Sequence, residues 1–371
     1  MQAEQQNASF CASVMQGNRE TVRNKRILLC PTEIGGNMQL LAQEFRRTGY
    51  HATAMAYCST PLGYINDVNC GLTGRSRLKN HWARALCTMW AATFYDIFHF
   101  FFGQSLYDAS VLRHADVRLL RRLGKKVFVH FRGSDVISGR YVDYMRATAL
   151  GSTIREPPIS DERQKRSLAV WKHFAHRLMV SYPLLLKAVP DAVLVSQAID
   201  CDKWQPENGC CRRNGEVRVV HAPTNRMKKG TDLICDVVAK LRHHGYRIRL
   251  DLVENVPHSK VKERYRDADI GIDQLLYGWY GNFSIECMAL GKPVICHIDP
   301  SLTQYAQDLP IVRADVTNLE RKLIWLAEDA ARRADLGVKG VEYVRKKHDV
   351  RIIADQCLNV YERSIVSNRS R

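Results

Sequence analysis

Residues 278–295 read GWYGNFSIECMALGKPVI. A turn of glycines and aromatics, Gly278 to Gly281, leads to Asn282, and an apolar run then carries a single acid, Glu286. Asn is a favoured helix N-cap. The pattern therefore predicts a helix over Asn282–Leu290, with a strand before it at Asp269–Leu275 and another after it at Pro293–Ile298. A helix N-terminus exposes free backbone N–H groups and a partial positive charge, which suits a diphosphate. Glu286 would sit one turn inside. A carboxylate beside phosphate is repelled unless it faces something else, and a ribose diol offers two hydroxyl donors. The alternative is an acid that merely complements the helix dipole.

The same alternation extends in both directions. Toward the N-terminus, Arg26–Cys30 reads as a buried strand, Pro31 to Gly36 as a loop, Asn37 to Thr48 as a helix, and His51–Tyr57 as the next strand. Strands follow at Asp96–Phe102 and Lys126–Phe131, with a helix near Val111–Leu123 between them. A second series starts near Glu216: strand Val217–His221, helix Gly230–His244, strand Arg247–Val253 and helix Ser259–Asp267. Residues 199–215, rich in Pro, Gly, Asn and charge, read as a linker. The fold class is thus α/β, with two Rossmann-like domains facing each other and the ligand cleft between them, at the C-terminal ends of the strands.

Composition agrees with a globular chain. Its 371 residues are 46% hydrophobic, enough for two cores, and exclude a disordered protein. The net charge of +17 favours anionic partners. Twelve cysteines show neither a CxxC pair nor finger-like metal spacing, and many lie in apolar runs, which reads as a reducing, cytoplasmic compartment. Residues 1–24 are polar and read as a loose leader without a secretion signal. Asp96 and His99 interrupt the most apolar region, which excludes a membrane span there.

Three further stretches carry candidate chemistry. The loop from His221 to Gly230 places Arg226, Lys228 and Lys229 where a helix begins; cations are unfavourable there, so an anion would offset them, although a solvated turn gives the same sequence. Gly35-Gly36 lets backbone approach a ligand, or simply makes a tight turn; it is not the GxGxxG fingerprint. The strand end His130-Phe131-Arg132-Gly133-Ser134-Asp135 would aim His130, Arg132 and Asp135 into the cleft, with a purely structural His130 as the other reading.

Taken in order, these segments resemble the nucleotide-sugar-dependent glycosyltransferases of the GT-B fold, in particular the large retaining group called family 4. The resemblance runs from about Arg26 to Asp349, and GNFSIECMALGKPVI is its most specific part. It implies that residues 25–198 form an acceptor-side domain, 216–349 a donor-binding domain, and 350–371 a helix returning to the first. Glu286 would hold the ribose, and Lys229 and Arg226, with Lys228 beside them, the diphosphate. Gly35 and Gly36 would approach the diphosphate from across the cleft. His130 or Arg132, with Asp135, would provide the catalytic strand end. No cofactor and no metal are implied, the nucleotide-sugar being a substrate. The family's second glutamate, eight residues before the first, is here Gly278, and backbone N–H groups around Gly281, Asn282 and Phe283 would replace it. The acceptor would be a glycan, a lipid-linked molecule or a small molecule. Other classes weighed are an epimerase or phosphorylase of the same fold, a catalytically weak partner or glycan-binding subunit, and a nucleic-acid binder, for which no motif is present.

The stretch Arg77 to Tyr95 places Leu78, Trp82, Leu86, Met89, Trp90 and Phe94 on one helical face, with Arg77, Lys79, His81 and Arg84 in its first half. An ordinary helix packing that face on the sheet is the commoner explanation. A basic helix lying on an anionic membrane is the other, supported by the basic run Arg118, Arg121, Arg122, Lys125 and Lys126.

Overall fold

Apolar β-rich runs separated by amphipathic stretches build two parallel sheets. The computed structural model describes residues 20–59, 62–72, 76–108, 113–207 and 215–367. The first sheet contains β1 (Arg26–Cys30), β2 (His51–Ala56), β3 (Val68–Asn69), β4 (Ile97–Phe101), β5 (Lys126–Phe131), β6 (Arg177–Val180) and β7 (Val193–Leu194), in the order β3-β2-β1-β4-β5-β6-β7. Its helices are α1 (Glu20–Arg23), α2 (Asn37–Arg47), α3 (Arg77–Phe94), α4 (Ala115–Arg122), α5 (Gly139–Ala149) and α6 (Glu162–Phe174). Side chains of β1 alternate between two cores: Ile27 and Leu29 meet Met38, Leu41 and Phe45 of α2, whereas Leu28 and Cys30 share a core with Val117, Leu120 and Trp171.

The second sheet contains β8 (Val217–His221), β9 (Ile248–Leu252), β10 (Ile270–Ile272), β11 (Val294–Cys296) and β12 (Val312–Arg313), in the order β12-β11-β10-β8-β9. Helices α7 (Arg226–Lys229), α8 (Thr231–His243), α9 (His258–Arg266), α10 (Asn282–Ala289), α11 (Leu319–Ala327) and α12 (Ala330–Lys347) surround it. The last helix, α13 (Val350–Ser367), leaves this half and packs on the first. Its Ile353, Cys357, Val360, Tyr361 and Ile365 enter the core of Ile27, Leu29 and Phe45, and Tyr361 Oη lies 2.6 Å from His99 Nδ1 of β4.

Several sequence expectations need correction. The strand expected to Leu275 ends at Ile272, because Asp273 and Gln274 are committed to hydrogen bonds with the following turn and helix. Asn282 does not cap α10. Gly281 holds that position and Asn282 is the first helical residue, since the buried Asp273 carboxylate already accepts from Gly281 N–H at 2.9 Å and Ser284 Oγ at 2.6 Å. The end of the supposed loose leader forms α1, with Val22 fully buried against the α13 core. Residues 1–19 and the Cys210-Cys211 pair lie outside the described residues.

The largest departure is α3. Its apolar stripe faces solvent: Leu78, Trp82, Leu86, Met89, Trp90 and Phe94 are each 40–69% exposed. The sheet side is held instead by Ala91 and Thr88, with Arg84 set 4.6 Å over the Tyr57 ring. Small residues let the helix lie close to the sheet and leave the large ones outside.

Candidate functional site

In an open parallel sheet, a crevice forms where neighbouring strands send their connections in opposite directions. In the first sheet this point lies between β1 and β4, and in the second between β8 and β10. The loops leaving these strands are the ones that carry Gly35-Gly36, the basic Asn225–Lys229 segment and the Gly278–Gly281 turn. They face one another. A Cβ placed on Gly35 would fall 2.0 Å from Asn282 Nδ2, and one on Gly36 would fall 3.1 Å from Tyr64. Both glycines have positive φ, +67° and +73°, so the loop needs glycine for conformation as well as for space.

Two cavities open on either side of the α10 N-terminus. The first, of about 420 Å³, is lined by Gly35, Gly36, Tyr64, Trp204, His258 and Glu286, among others. His258 Nε2 donates to Glu286 at 2.7 Å. Its ring lies between Tyr64 at 4.9 Å and Trp204 at 5.7 Å, centroid to centroid. Burial raises the Glu286 carboxyl above its usual range, and the His258 contact offsets only part of this. For His258, burial acts downward, but the hydrogen bond and charge of Glu286 outweigh it and hold the imidazole above its ordinary value.

The second cavity, of about 260 Å³, is lined by Arg132 and Tyr182 from the first half and by Lys228, Lys229, Tyr277 and Gly281 from the second, among others. Tyr182 and Tyr277 join across the cleft through their hydroxyls at 2.8 Å. Lys229 Nζ donates to Asp273. Burial alone would raise the Asp273 carboxyl, but Lys229, Ser284 and the Gly281 N–H together hold it below the usual range. Gln274 fixes the aromatic turn by donating to Trp279 O at 2.6 Å and His297 O at 3.1 Å while accepting from Tyr277 N–H. Gly278 sits at φ +82°, and a Cβ there would meet Asp299 Cβ at 3.0 Å. A glutamate here would be strained by the left-handed backbone and would need Asp299 to give way.

The structure brings most of the sequence-derived candidates together, and sets others apart. Gly35, Gly36, Asn282 and Glu286 line the first cavity; Arg132, Lys228, Lys229 and Gly281 line the second. Phe283 is buried beneath them against Tyr265. Arg226 turns outward to Glu254 and Asp232, both at 2.8 Å. His130 faces the α13 side of the sheet, where it bonds Val195 O at 2.9 Å and stacks on His99; burial keeps it well below the ordinary imidazole value. Asp135 is a brace, accepting from the Arg132 and Gly133 N–H groups, and burial pushes its carboxyl up to about 6 despite those bonds. His258, Asp273, Tyr64 and Trp204 were not found from sequence. Asp273 alone left a signal, an acid closing a buried strand.

Among the described residues, no group of three or more His, Cys, Asp or Glu side chains is placed to share a metal ion, and no helix is long and apolar enough to cross a membrane. No family model and no curated protein match the sequence. Solved structures do match. Sucrose-phosphate synthase from Thermosynechococcus elongatus superposes with a TM-score of 0.64 at 15% identity, over 92% of this chain and 100% of that one. The chain has the GT-B fold. Other GT-B neighbours are WaaG, a glycosyltransferase involved in lipopolysaccharide biosynthesis (TM-score 0.58, 11% identity, 90% of this chain and 99% of that one), and the catalytic domain of starch synthase IV from Arabidopsis thaliana, bound to ADP and acarbose (0.57, 12%, 92% and 99%).

Proposed function

We propose that this protein is a glycosyltransferase that moves a sugar from a nucleotide-sugar donor to a hydroxyl acceptor, with retention and without a metal. The observation that carries this function is the Glu286 carboxylate at the wall of the first cavity, beside the α10 N-terminus and opposite Gly35-Gly36. Glu286 accepts from the ribose diol, and Tyr64 and Trp204 offer flat walls to the base. The diphosphate lies at the junction of the cavities, where the α10 N-terminus, Lys228 and Lys229 offset its charge. Asp273 holds Lys229 in place, so the lysine is oriented before the donor arrives. The sugar then occupies the second cavity. Its anomeric C–O bond to the diphosphate breaks, a bond to the acceptor oxygen forms, and the acceptor proton passes to the departing diphosphate oxygen. Among the described residues lining that cavity none is a carboxylate, so attack comes from the face of the leaving group.

We propose further that the acceptor side works at an anionic membrane surface. Supporting this are the exposed stripe of α3 and the exposed Arg118, Leu119 and Arg122 of α4 with Leu123 just beyond it, on the same face of the first sheet. Arg121 is instead engaged with His176 at 3.1 Å. The test of the function is release of nucleoside diphosphate from UDP-, ADP- and GDP-sugars with lipid and glycan acceptors, with and without EDTA, and NMR of the product's anomeric centre. Inversion at that centre, or activity lost in EDTA and restored by Mg²⁺ or Mn²⁺, would refute the corresponding part.

A further inference from the structure

Two thiols meet beneath the exposed helix. Cys87 of α3 has its Sγ 3.7 Å from Sγ of Cys70, and no disulfide joins them. They come from different elements, 17 residues apart. Cys70 follows β3, the edge strand of the first sheet, and its backbone is fixed there: its N–H donates to Ala56 O and that of Leu72 to Tyr57 O, both at 2.9 Å. Cys87 lies on the sheet-facing side of α3, one turn from Ala83 and one turn from Ala91, which pack on the same core.

That helix is held by little. Over Arg77–Phe94, Thr88 and Ala91 are the only buried residues among those described, and both are small. The large apolar side chains face solvent. The attachment of α3 therefore rests on a small apolar area, and a covalent link under it would change how firmly it is held. Position also separates this pair from other thiols. Cys30, Cys287, Cys296 and Cys357 are buried, and burial pushes each thiol up, which keeps it protonated and inert. Cys70 and Cys87 are half-buried, within reach of a small oxidant. A disulfide is about 2.05 Å long, so closing it asks the sulfurs to approach by about 1.7 Å. A helix seated on small residues has the freedom to do so.

We propose that Cys70 and Cys87 are a redox site whose substrate is a peroxide, and that their disulfide pins α3 to the edge of the first sheet. One thiolate attacks an oxygen of hydrogen peroxide, the O–O bond breaks and hydroxide leaves, with a sulfenic acid now on that cysteine. The second thiolate attacks the sulfenic sulfur. The S–S bond forms, the S–O bond breaks, and the oxygen departs as water. Two thiols thus lose two protons and two electrons, and one hydrogen peroxide becomes two waters. The pair lines neither cleft cavity, so it acts apart from the donor site.

The test uses the full chain, treated with hydrogen peroxide or, separately, with oxidised glutathione, and digested without reductant. The expected result is a peptide pair joining Cys70 to Cys87, two hydrogens lighter than its reduced parts and separated again by dithiothreitol. Hydrogen exchange of the α3 amides should slow at least about tenfold in the oxidised protein. In Cys87→Ser, and separately in Cys70→Ser, oxidant should leave that exchange unchanged, which distinguishes this bond from oxidation elsewhere. Cys58→Ser, which removes another half-buried thiol of the same half, should leave both results intact. If the two thiols stay open to alkylation after oxidant, pair with other cysteines, or take up oxygen without bonding to each other, the redox site is refuted. If the bond forms and α3 exchange stays as it was, or slows equally in the serine variants, the pinning is refuted.

Discussion

His258 Nε2 donates to the Glu286 carboxylate at 2.7 Å, at the wall of a cavity closed from the opposite half by Gly35, Gly36 and Tyr64. The histidine comes from the start of α9 and the glutamate from inside α10, so the bond ties two helices at the point where a ribose is proposed to sit. It also orients a carboxylate whose second oxygen remains available to a ligand.

Glu286→Ala should therefore weaken binding of a nucleoside diphosphate roughly ten- to a hundredfold, the loss expected when hydroxyls give up a charged acceptor. Calorimetry with ADP, GDP or UDP measures it. An unchanged constant in a folded variant would remove Glu286 from the donor site.

The same pair should make stability depend on pH. The folded-state His258 sits above its ordinary value of about 6.5, so its contribution is complete below that pH and is lost as pH rises through the raised value. Glu286 is also raised, by burial, so its own contribution has the same sign but is complete below its ordinary value of about 4.5 and is lost as pH rises through the raised one. The melting temperature should fall as pH is taken upward from about 6.5. Glu286→Gln should flatten that slope, and a slope that stays the same would mean that other groups set it.

Gly35→Ala tests the closeness of the two halves. The left-handed backbone at φ +67° costs an alanine about 1–2 kcal/mol, and its Cβ additionally meets Asn282 Nδ2. Asn282→Ala in the same chain should recover the steric part and leave the backbone part. A double-mutant cycle read by denaturant unfolding separates the two. Strict additivity would mean that the halves do not meet at this point in solution.

Much of this site was legible because it obeys local rules. Strands β1, β5 and β8 begin and end where apolar β-rich runs do, and Gly35-Gly36 and Glu286 sit at loop and helix positions that spacing alone identifies. What sequence did not reveal were pairings set by tertiary geometry. His258 and Glu286 are 28 residues apart, and Lys229 and Asp273 are 44 apart. Asn282 was expected to cap α10, but Gly281 holds that position and the Asp273 carboxylate instead ties the Gly281 N–H and the Ser284 hydroxyl to the end of β10. His130 and Arg132, two residues apart at one strand end, both lie beside Phe101 on the α13 side, where His130 bonds Val195 O and the Arg132 guanidinium sits over the ring. The direction of the α3 stripe was equally unreadable, since periodicity marks an apolar face without saying what it meets.

That stripe gives the last prediction. Leu78, Trp82, Leu86, Met89, Trp90 and Phe94 are exposed on one helix, and such a patch is uncommon on a protein surface with nothing to cover it. Each large side chain moved from water into the acyl boundary contributes about 1.5–3 kcal/mol, and each nearby Lys or Arg about 1 kcal/mol at an anionic surface. The two contributions differ in their response to salt. The charge part fades as the Debye length shrinks from about 10 Å at 0.1 M to about 3 Å at 1 M, whereas the apolar part persists. Sedimentation with phosphatidylserine-containing vesicles should accordingly show binding that weakens with salt but does not vanish. Trp82→Glu with Leu86→Glu should reduce it more than a hundredfold, by the removal of two such side chains. Reversal of Arg118 and Arg122 should instead reduce only the salt-sensitive part. Neither change should alter nucleoside diphosphate affinity, because α3 and α4 line neither of the two cleft cavities. Should the protein ignore anionic vesicles at low salt, or bind them equally with both glutamates in place, α3 is not a membrane face and the acceptor is to be sought in solution.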